Sequence, residues 1–336
     1  MKVLSLFTGI GGFELGIQQA YENNRKLLQG QTAKNLRKGL SDTSSGQDRP
    51  TCIGYSEIDK YATQIYQKHF NHKNYGDITK INAEELSDFD LLCGGFPCQS
   101  FSIAGKRGGF ADTRGTLFFD IARILKVKKP RMLLLENVKG LLSHDNGNTF
   151  KTIISTLTEL GYDLQWQVCN SKNFGVPQNR ERVFIVGHLR GTTRPQVFPF
   201  AGVSKLHLEE ITQEVSDAQR IYSPSGVAKT LKGLGGGLGA KTGLYTIPVL
   251  TPDRLEKRQN GRRFKEDGDP SFTLTSQDRH GIYDGMKIRR LTPKECERLQ
   301  GFPDGWTEGV SDTQRYKMLG NAVTVNVIQS IMEKLL

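Results

Sequence analysis

A cysteine delivered by the run Leu91-Leu92-Cys93-Gly94-Gly95-Phe96-Pro97-Cys98-Gln99 is the first candidate for chemistry in this chain. The apolar residues predict a buried strand, two glycines end it, and Pro97 stiffens the turn before Cys98. In an open α/β sheet, ligands bind at the carboxyl ends of the strands. A thiol placed there can act as a nucleophile, because thiolate needs only modest activation. The run Leu133-Leu134-Leu135-Glu136-Asn137-Val138 predicts a second buried strand, ending in a carboxylate at the same edge. Glu136 could give a proton or a hydrogen bond to a heterocycle nitrogen. Gln178-Asn179-Arg180-Glu181-Arg182 sets two arginines on one face of a strand entering the sheet, where they could bind a carbonyl oxygen or orient Glu136. Taken singly, an inert buried thiol, a strand-end ion pair and a charged strand edge are the plainer readings.

A second group of residues suits a nucleoside. Phe7-Thr8-Gly9-Ile10-Gly11-Gly12-Phe13 follows the first strand and opens a helix. Its glycines allow a tight turn and a close approach of backbone to ligand. The next strand ends at Ser56-Glu57-Ile58-Asp59, where an acid can accept hydrogen bonds from ribose hydroxyls. Gly76-Asp77-Ile78 offers a further carboxylate where a third strand is expected to end, suited to an exocyclic amine. Each acid alone reads as a helix cap; together with the Gly-rich turn they describe an adenosine site.

These groups need a scaffold that gathers strand ends. Short apolar runs at Val3–Phe7, Cys52–Ser56, Leu91–Gly94, Met132–Leu135 and Val183–Gly187 alternate with helical patterns, such as Leu117, Phe118, Ile121, Ala122 and Leu125 on one face. Phe150, Ile153, Ile154, Leu157 and Leu160 form another such face, and Gly161 stops that helix. Strand–helix alternation predicts a doubly wound, mostly parallel sheet. Polar residues 22–50 read as a surface insertion after the first helix. From Arg190 to Arg290 short β-type pieces and glycines dominate, with 17 Lys and Arg against 11 Asp and Glu. An internal echo, Ala228–Leu231 leading to Leu244-Tyr245 and Phe272–Thr275 leading to Ile282-Tyr283, suggests two similar β units. Helices return with a capping box at Thr292-Pro293-Lys294-Glu295. The last helix, to Leu335, is apolar enough to pack onto the first domain.

The 336 residues can bury a full core and leave room for a smaller domain. The net charge of +11 favours a polyanionic partner. Five cysteines in a chain of this length argue against a disulfide framework, and no Cys/His spacing completes a zinc pattern, so no metal is expected. There is no membrane-spanning run and no signal peptide, so the expected location is cytoplasmic. Gly105, Gly108, Gly109 and Gly115 flank Lys106-Arg107 after Cys98, as in a loop that closes over substrate.

In this order the motifs resemble those of the bacterial DNA (cytosine-5) methyltransferases over nearly the whole chain. The carrying residues are Phe7–Gly12, Gly95-Phe96-Pro97-Cys98-Gln99, Glu136-Asn137-Val138, Gln178-x-Arg180-x-Arg182, Arg290–Gly301 and Gly320-Asn321-Ala322-Val323. Gly109–Asn148 and Arg220–Tyr245 are especially similar to one member. The resemblance implies a Rossmann-like S-adenosylmethionine domain over 1–189, completed by 318–336. It further implies a smaller β-rich target-recognition domain over 190–288 and a connecting segment over 289–317. It implies that S-adenosylmethionine is held by Phe7, Thr8, Gly9, Ile10, Gly11, Gly12, Glu57, Ile58, Asp77, Ile78, Gly95, Pro97, Leu117, Asn321, Ala322 and Val323. Cys98, Glu136, Arg180 and Arg182 become the catalytic residues. Gln99, Ser102, Lys106, Arg107, Gln178, Arg220, Lys232 and Lys241 become contacts to double-stranded DNA, whose target cytosine must be flipped out of the stack. A monomer is implied, with a cognate restriction endonuclease acting on the same site. A tRNA cytosine-5 methyltransferase and a silent DNA-binding homologue are the alternatives; the sizeable recognition region and the intact Cys98, Glu136 and arginines speak against them. Four departures stand out. Residues 22–50 are long, Ile58 stands where an aromatic is sometimes found, and Ala104 replaces a serine that reaches into DNA. Lys232 and Leu234 also differ, so a target sequence does not carry over.

Overall fold

The computed structural model describes residues 1–37, 49–97, 117–200, 221–222, 244–245, 247–250, 264–265, 269–275, 280–283 and 288–336. They fall into two compact units. The first is Met1–Cys169, Glu181–Phe200 and Val327–Leu336; the second is Asn170–Arg180 with Ala201–Asn326.

The first unit is built on a six-stranded sheet in the order β2-β1-β3-β4-β6-β5. The strands are β1 (Lys2–Leu6), β2 (Thr51–Ser56), β3 (Leu91–Gly95), β4 (Met132–Val138), β5 (Tyr162–Asn170) and β6 (Glu181–Leu189). β1 pairs in parallel with β2 and β3, and β3 with β4, while β6 runs antiparallel to β4. The order reverses beside β1, so the parallel strand ends around it open on one edge. The helices are α1 (Gly12–Arg37), α2 (Lys60–His69), α3 (Leu117–Lys128) and α4 (Asn148–Glu159), followed by α5 (Pro293–Leu299), α6 (Asp312–Asn321) and α7 (Val325–Leu335).

Leu4, Leu6, Leu92, Leu133 and Leu135 point from one sheet face into a cluster with Phe118, Ile121 and Leu125 of α3 and Ile153 and Leu157 of α4. Each such side chain, fully buried, contributes about 1.5–3 kcal/mol. The 3.6-residue spacing read for α3 is the face that is buried. α4 ends where Gly161 takes φ +96°, a conformation that favours glycine. Ser5, on the opposite face of β1, meets Thr8 and Glu14, and Tyr66 of α2 stacks on Tyr55 with ring centroids 3.9 Å apart. Helices therefore cover both faces of the sheet. From Val327 on, α7 belongs to this unit, and Glu333 accepts from Asn23 and Asn24 of α1.

Three local expectations are corrected. Residues 22–37, read as part of an insertion, continue α1; the straight-chain residues Glu22, Lys26, Leu27, Leu28 and Gln29 are good helix formers. Residues 38–48 lie outside the described segments. β5 was not foreseen, because its Gln and Trp residues hide the strand alternation; Gln165 and Gln167 instead bind the backbone of Pro195, Val197 and Phe200. Asp77 does not close a strand but caps a 3₁₀ turn at Ile78–Lys80.

In the second unit β9 (Ile247–Leu250), β10 (His280–Tyr283) and β11 (Ile288–Arg290) form an antiparallel sheet in the order β11-β10-β9. β7 (Ile221–Tyr222) pairs with β8 (Leu244–Tyr245). α5 starts with the expected capping box: Thr292 Oγ1 accepts from Glu295 N–H, and the Glu295 carboxylate accepts from Thr292 N–H. Among the described residues no helix is long and apolar enough to cross a membrane.

Glu14 is a buried acid that meets Thr8 of the Gly-rich turn. Its Oε1 accepts from Thr8 Oγ1 at 2.6 Å and from the Tyr66 hydroxyl at 3.2 Å, and Tyr66 also meets His72 Nδ1. Burial pushes its pKa above the ordinary 4.5, although its hydrogen bonds pull the other way. The neutral form is therefore the one the fold prefers. Its stabilisation is complete below the ordinary carboxyl range and is lost as pH rises through the raised value. Unfolding midpoints measured against pH are expected to decline less steeply above pH 4.5 in Glu14→Gln than in the parent; parallel profiles contradict this.

Candidate active site

The adenosine group assembles at the ends of β1 and β2. Phe7 turns the chain with φ +53°, and Gly9 and Gly11 follow at +57° and +88°. A Cβ on Gly11 would lie 2.5 Å from the Phe70 ring, so only glycine lets the turn sit against α2. The Gly9 N–H donates to Glu57 Oε2 at 2.9 Å, which ties this turn to the end of β2. Glu57 Oε1 accepts from the Ile58 and Asp59 N–H groups, both at 2.8 Å. The carboxylate is thus fixed while Oε2 keeps a lone pair for a further donor. Ile58 is 78 % exposed, an apolar side chain held in the open beside this acid. Phe7 is half-buried, whereas Ile10 and Ile78 are buried in the core. Asp77 Oδ1 accepts from Thr79 N–H and Oγ1, and these bonds hold its pKa below the ordinary 3.8. A fixed carboxylate, an exposed apolar side chain and glycine turns fit the adenosyl part of S-adenosylmethionine.

One residue of this region escaped the sequence reading. Asn74 Oδ1 accepts from Gly76 N–H at 2.8 Å, and its Nδ2 donates to Glu57 O at 3.1 Å. It clasps the end of β2 to the Asp77 turn. An Asn two residues before a Gly is the only sequence signal of such a turn.

The chemical group assembles at the ends of β3 and β4. Gly95 is in register with Glu136, and Phe96 and Pro97 lead on to Cys98. Asn137 is buried and donates from Nδ2 to Phe96 O at 2.9 Å, so it fixes the backbone two residues before the cysteine. This positioning role was not foreseen either. Arg182 Nε meets Glu136 Oε1 at 3.0 Å, with side chains only 17 % and 13 % exposed. The pair lies diagonally across β4 and β6, where Glu136 faces Phe184 and Val138 faces Arg182. A nearby exposed pair, Lys139–Glu181, adds little energy.

Glycine at 95 makes room for this acid: a Cβ there would come 3.0 Å from Glu136 Oε2. In Gly95→Ala the carboxylate must move by tenths of an ångström, and turnover is expected to fall about 10- to 100-fold. Steady-state turnover at saturating substrates checks this; an unchanged kcat contradicts it.

Arg180 makes its side-chain hydrogen bonds to the carbonyls of Leu274, Gly320 and Ala322. It precedes β6, belongs to the second unit and is 2 % exposed. Gln178, expected among DNA contacts, is fully buried; its Nε2 donates to Leu299 O and its Oε1 accepts from Leu274 N–H. Asn321, Ala322 and Val323 also lie in the second unit, with Asn321 exposed between buried neighbours. Leu117 opens α3 and is half-buried. Cys98, Gln99, Ser102, Lys106, Arg107, Arg220, Lys232 and Lys241 lie outside the described residues.

The mixed α/β sheet gathers the Gly-rich turn, Glu57 and the Glu136–Arg182 pair at neighbouring strand ends. Over residues 1–336 the chain matches, and belongs to, the C-5 cytosine-specific DNA methylase family. It is 39 % identical to the type II methyltransferase M.NlaX of Neisseria lactamica, over 99 % of this chain and 96 % of the relative. To the type II methyltransferase M.HhaI of Haemophilus parahaemolyticus it is 34 % identical, over 98 % and 93 %. The orphan methyltransferase M.SPRI of Bacillus phage SPR is 33 % identical over 100 % of this chain and 97 % of its own. The fold is that of Dnmt2 from Spodoptera frugiperda, with TM-score 0.58 and 20 % identity over 99 % of both chains. The protein is a DNA cytosine-5 methyltransferase that uses S-adenosylmethionine as methyl donor.

Proposed function

We propose that this enzyme methylates one cytosine within a specific double-stranded DNA sequence, through a transient bond from Cys98 Sγ to C6 of the base. Ring carbon C5 of cytosine is too weak a nucleophile to take a methyl group unaided. The thiolate adds to C6, and Glu136 supplies a hydrogen bond or proton at N3 to accept the displaced electron pair. C5 becomes enamine-like and takes the methyl group; S-adenosylmethionine, when bound, supplies that group on an electrophilic sulfonium. Loss of the C5 proton to a base then expels Cys98 and restores the aromatic ring.

The observation that carries this reading is the Glu136–Arg182 pair, set beside the strand end that leads to Cys98. Arg182 takes Oε1 and orients the carboxyl group, with Oε2 over Gly95. Glu57 binds the ribose, Phe7 and Ile58 flank the adenine, Asp77 takes its amine, and Asn321–Val323 complete the contacts. Residues 190–288 recognise the target, with phosphate contacts positioning them and loops reading base edges. Lys106, Arg107, Arg220, Lys232 and Lys241 carry charge for this, and Gln99 and Ser102 approach the flipped base. The enzyme acts as a cytoplasmic monomer beside a restriction endonuclease of the same specificity, in keeping with the type II names of several relatives.

Transfer of labelled methyl from S-adenosylmethionine to plasmid DNA and to total tRNA tests the substrate. Label in DNA, mapped by bisulfite sequencing to one recurring sequence, is expected. Label in tRNA alone contradicts the reading.

A further inference from the structure

The turn that carries Asn321 is held by a buried arginine. The last carbonyls of α6 have no partners within the helix. Arg180 supplies them: Nη1 and Nη2 both reach Gly320 O at 3.2 Å, and Nη2 reaches Ala322 O at 2.8 Å. Nη1 also donates to Leu274 O at 2.9 Å. From another side Gln300 Nε2 donates to Leu319 O at 2.7 Å and approaches Ala322 O. A cation at a helix C-terminus is favoured by the helix dipole as well. The result is a turn whose flanking residues are buried and braced and whose one exposed side chain is Asn321.

We propose that Arg180 is a positioning residue for the Asn321–Val323 turn, acting on methyl transfer through cofactor affinity and not on the cytosine ring. The proposal rests on the reading of that turn as a cofactor contact. Both terminal amino groups of Arg180 are engaged with carbonyls of two other segments of its own unit, Leu274 and Gly320–Ala322. Arg182, two residues on, is the arginine that meets the catalytic acid. The planar fork matters, because a lysine nitrogen cannot serve three carbonyls set apart in this way.

Steady-state kinetics of Arg180→Lys, Arg182→Lys and Asn321→Ala separate the roles. In Arg180→Lys the KM for S-adenosylmethionine is expected to rise about tenfold, with kcat at saturation within about twofold of the parent. Arg182→Lys is expected to lower kcat and leave that KM in place. A fall in kcat with unchanged KM in Arg180→Lys overturns the proposal. If Asn321→Ala raises KM and Arg180→Lys does not, the proposal alone fails. If Asn321→Ala leaves KM unchanged, the reading of the turn fails and the proposal with it. Should Arg180→Lys not fold, by circular dichroism, Gln300→Met removes the donor to Leu319 O and carries the same test. A KM-selective rise supports the brace, and an unchanged KM or a kcat loss overturns it.

Discussion

Cys98→Ser is expected to lower methyl transfer by roughly 10³-fold or more while DNA binding stays close to that of the parent. The argument is chemical. Attack on C6 needs an ionised nucleophile, and a serine hydroxyl is barely ionised near neutral pH, whereas a thiol can reach its thiolate. The four other cysteines do not offer a substitute. Cys93 and Cys169 are buried, and burial pushes Cys52, Cys169 and Cys296 up to about 12 and Cys93 well above its ordinary value. Labelled methyl transfer and a gel-shift titration on the same target DNA check both halves. Activity within tenfold of the parent would mean that Cys98 is not the nucleophile.

The second large effect falls on stability. Glu297 of α5 is fully buried and accepts from the N–H groups of Gly305 at 2.7 Å and Thr307 at 2.8 Å, from the Thr307 hydroxyl, and from Arg315 Nη2 at 3.1 Å. Arg315 Nε donates to Thr307 Oγ1 at 2.9 Å, so the pair closes the loop between α5 and α6. Arg315→Leu leaves a buried carboxylate without its counter-charge. The expected cost is about 3–5 kcal/mol, a fall in Tm on the order of 10 °C. Adding Glu297→Leu is expected to recover only part of this, because the Gly305 and Thr307 donors then lose their acceptor. Thermal unfolding followed by circular dichroism measures both. A cost below about 1 kcal/mol for Arg315→Leu would place the pair with exposed ion pairs such as Arg190–Asp163, which contribute little.

The strand ends and their acids were legible in the chain because apolar runs closed by Gly or an acid have few other readings. Leu91–Gly95 and Leu133–Glu136 are cases, as is the capping box at Thr292. The roles of Arg180 and Gln178 were not legible. Their partners are main-chain carbonyls and an N–H more than ninety residues away, and a backbone group leaves no mark in a sequence. Asn137 and Asn74 were missed for the same reason, since each acts on backbone. The extension of α1 past residue 22 escaped because polar straight-chain residues suit an exposed helix as well as a loop.

The central claim is the bond from Cys98 to C6, and target DNA carrying 5-fluorocytosine tests it most directly. Fluorine at C5 cannot leave as a proton does, so the covalent intermediate should persist. The account predicts a complex stable to denaturation, formed only with S-adenosylmethionine present and mapped by mass spectrometry to the peptide containing Cys98. Absence of any adduct, while unmodified target DNA is methylated under the same conditions, or an adduct on another residue, would contradict it.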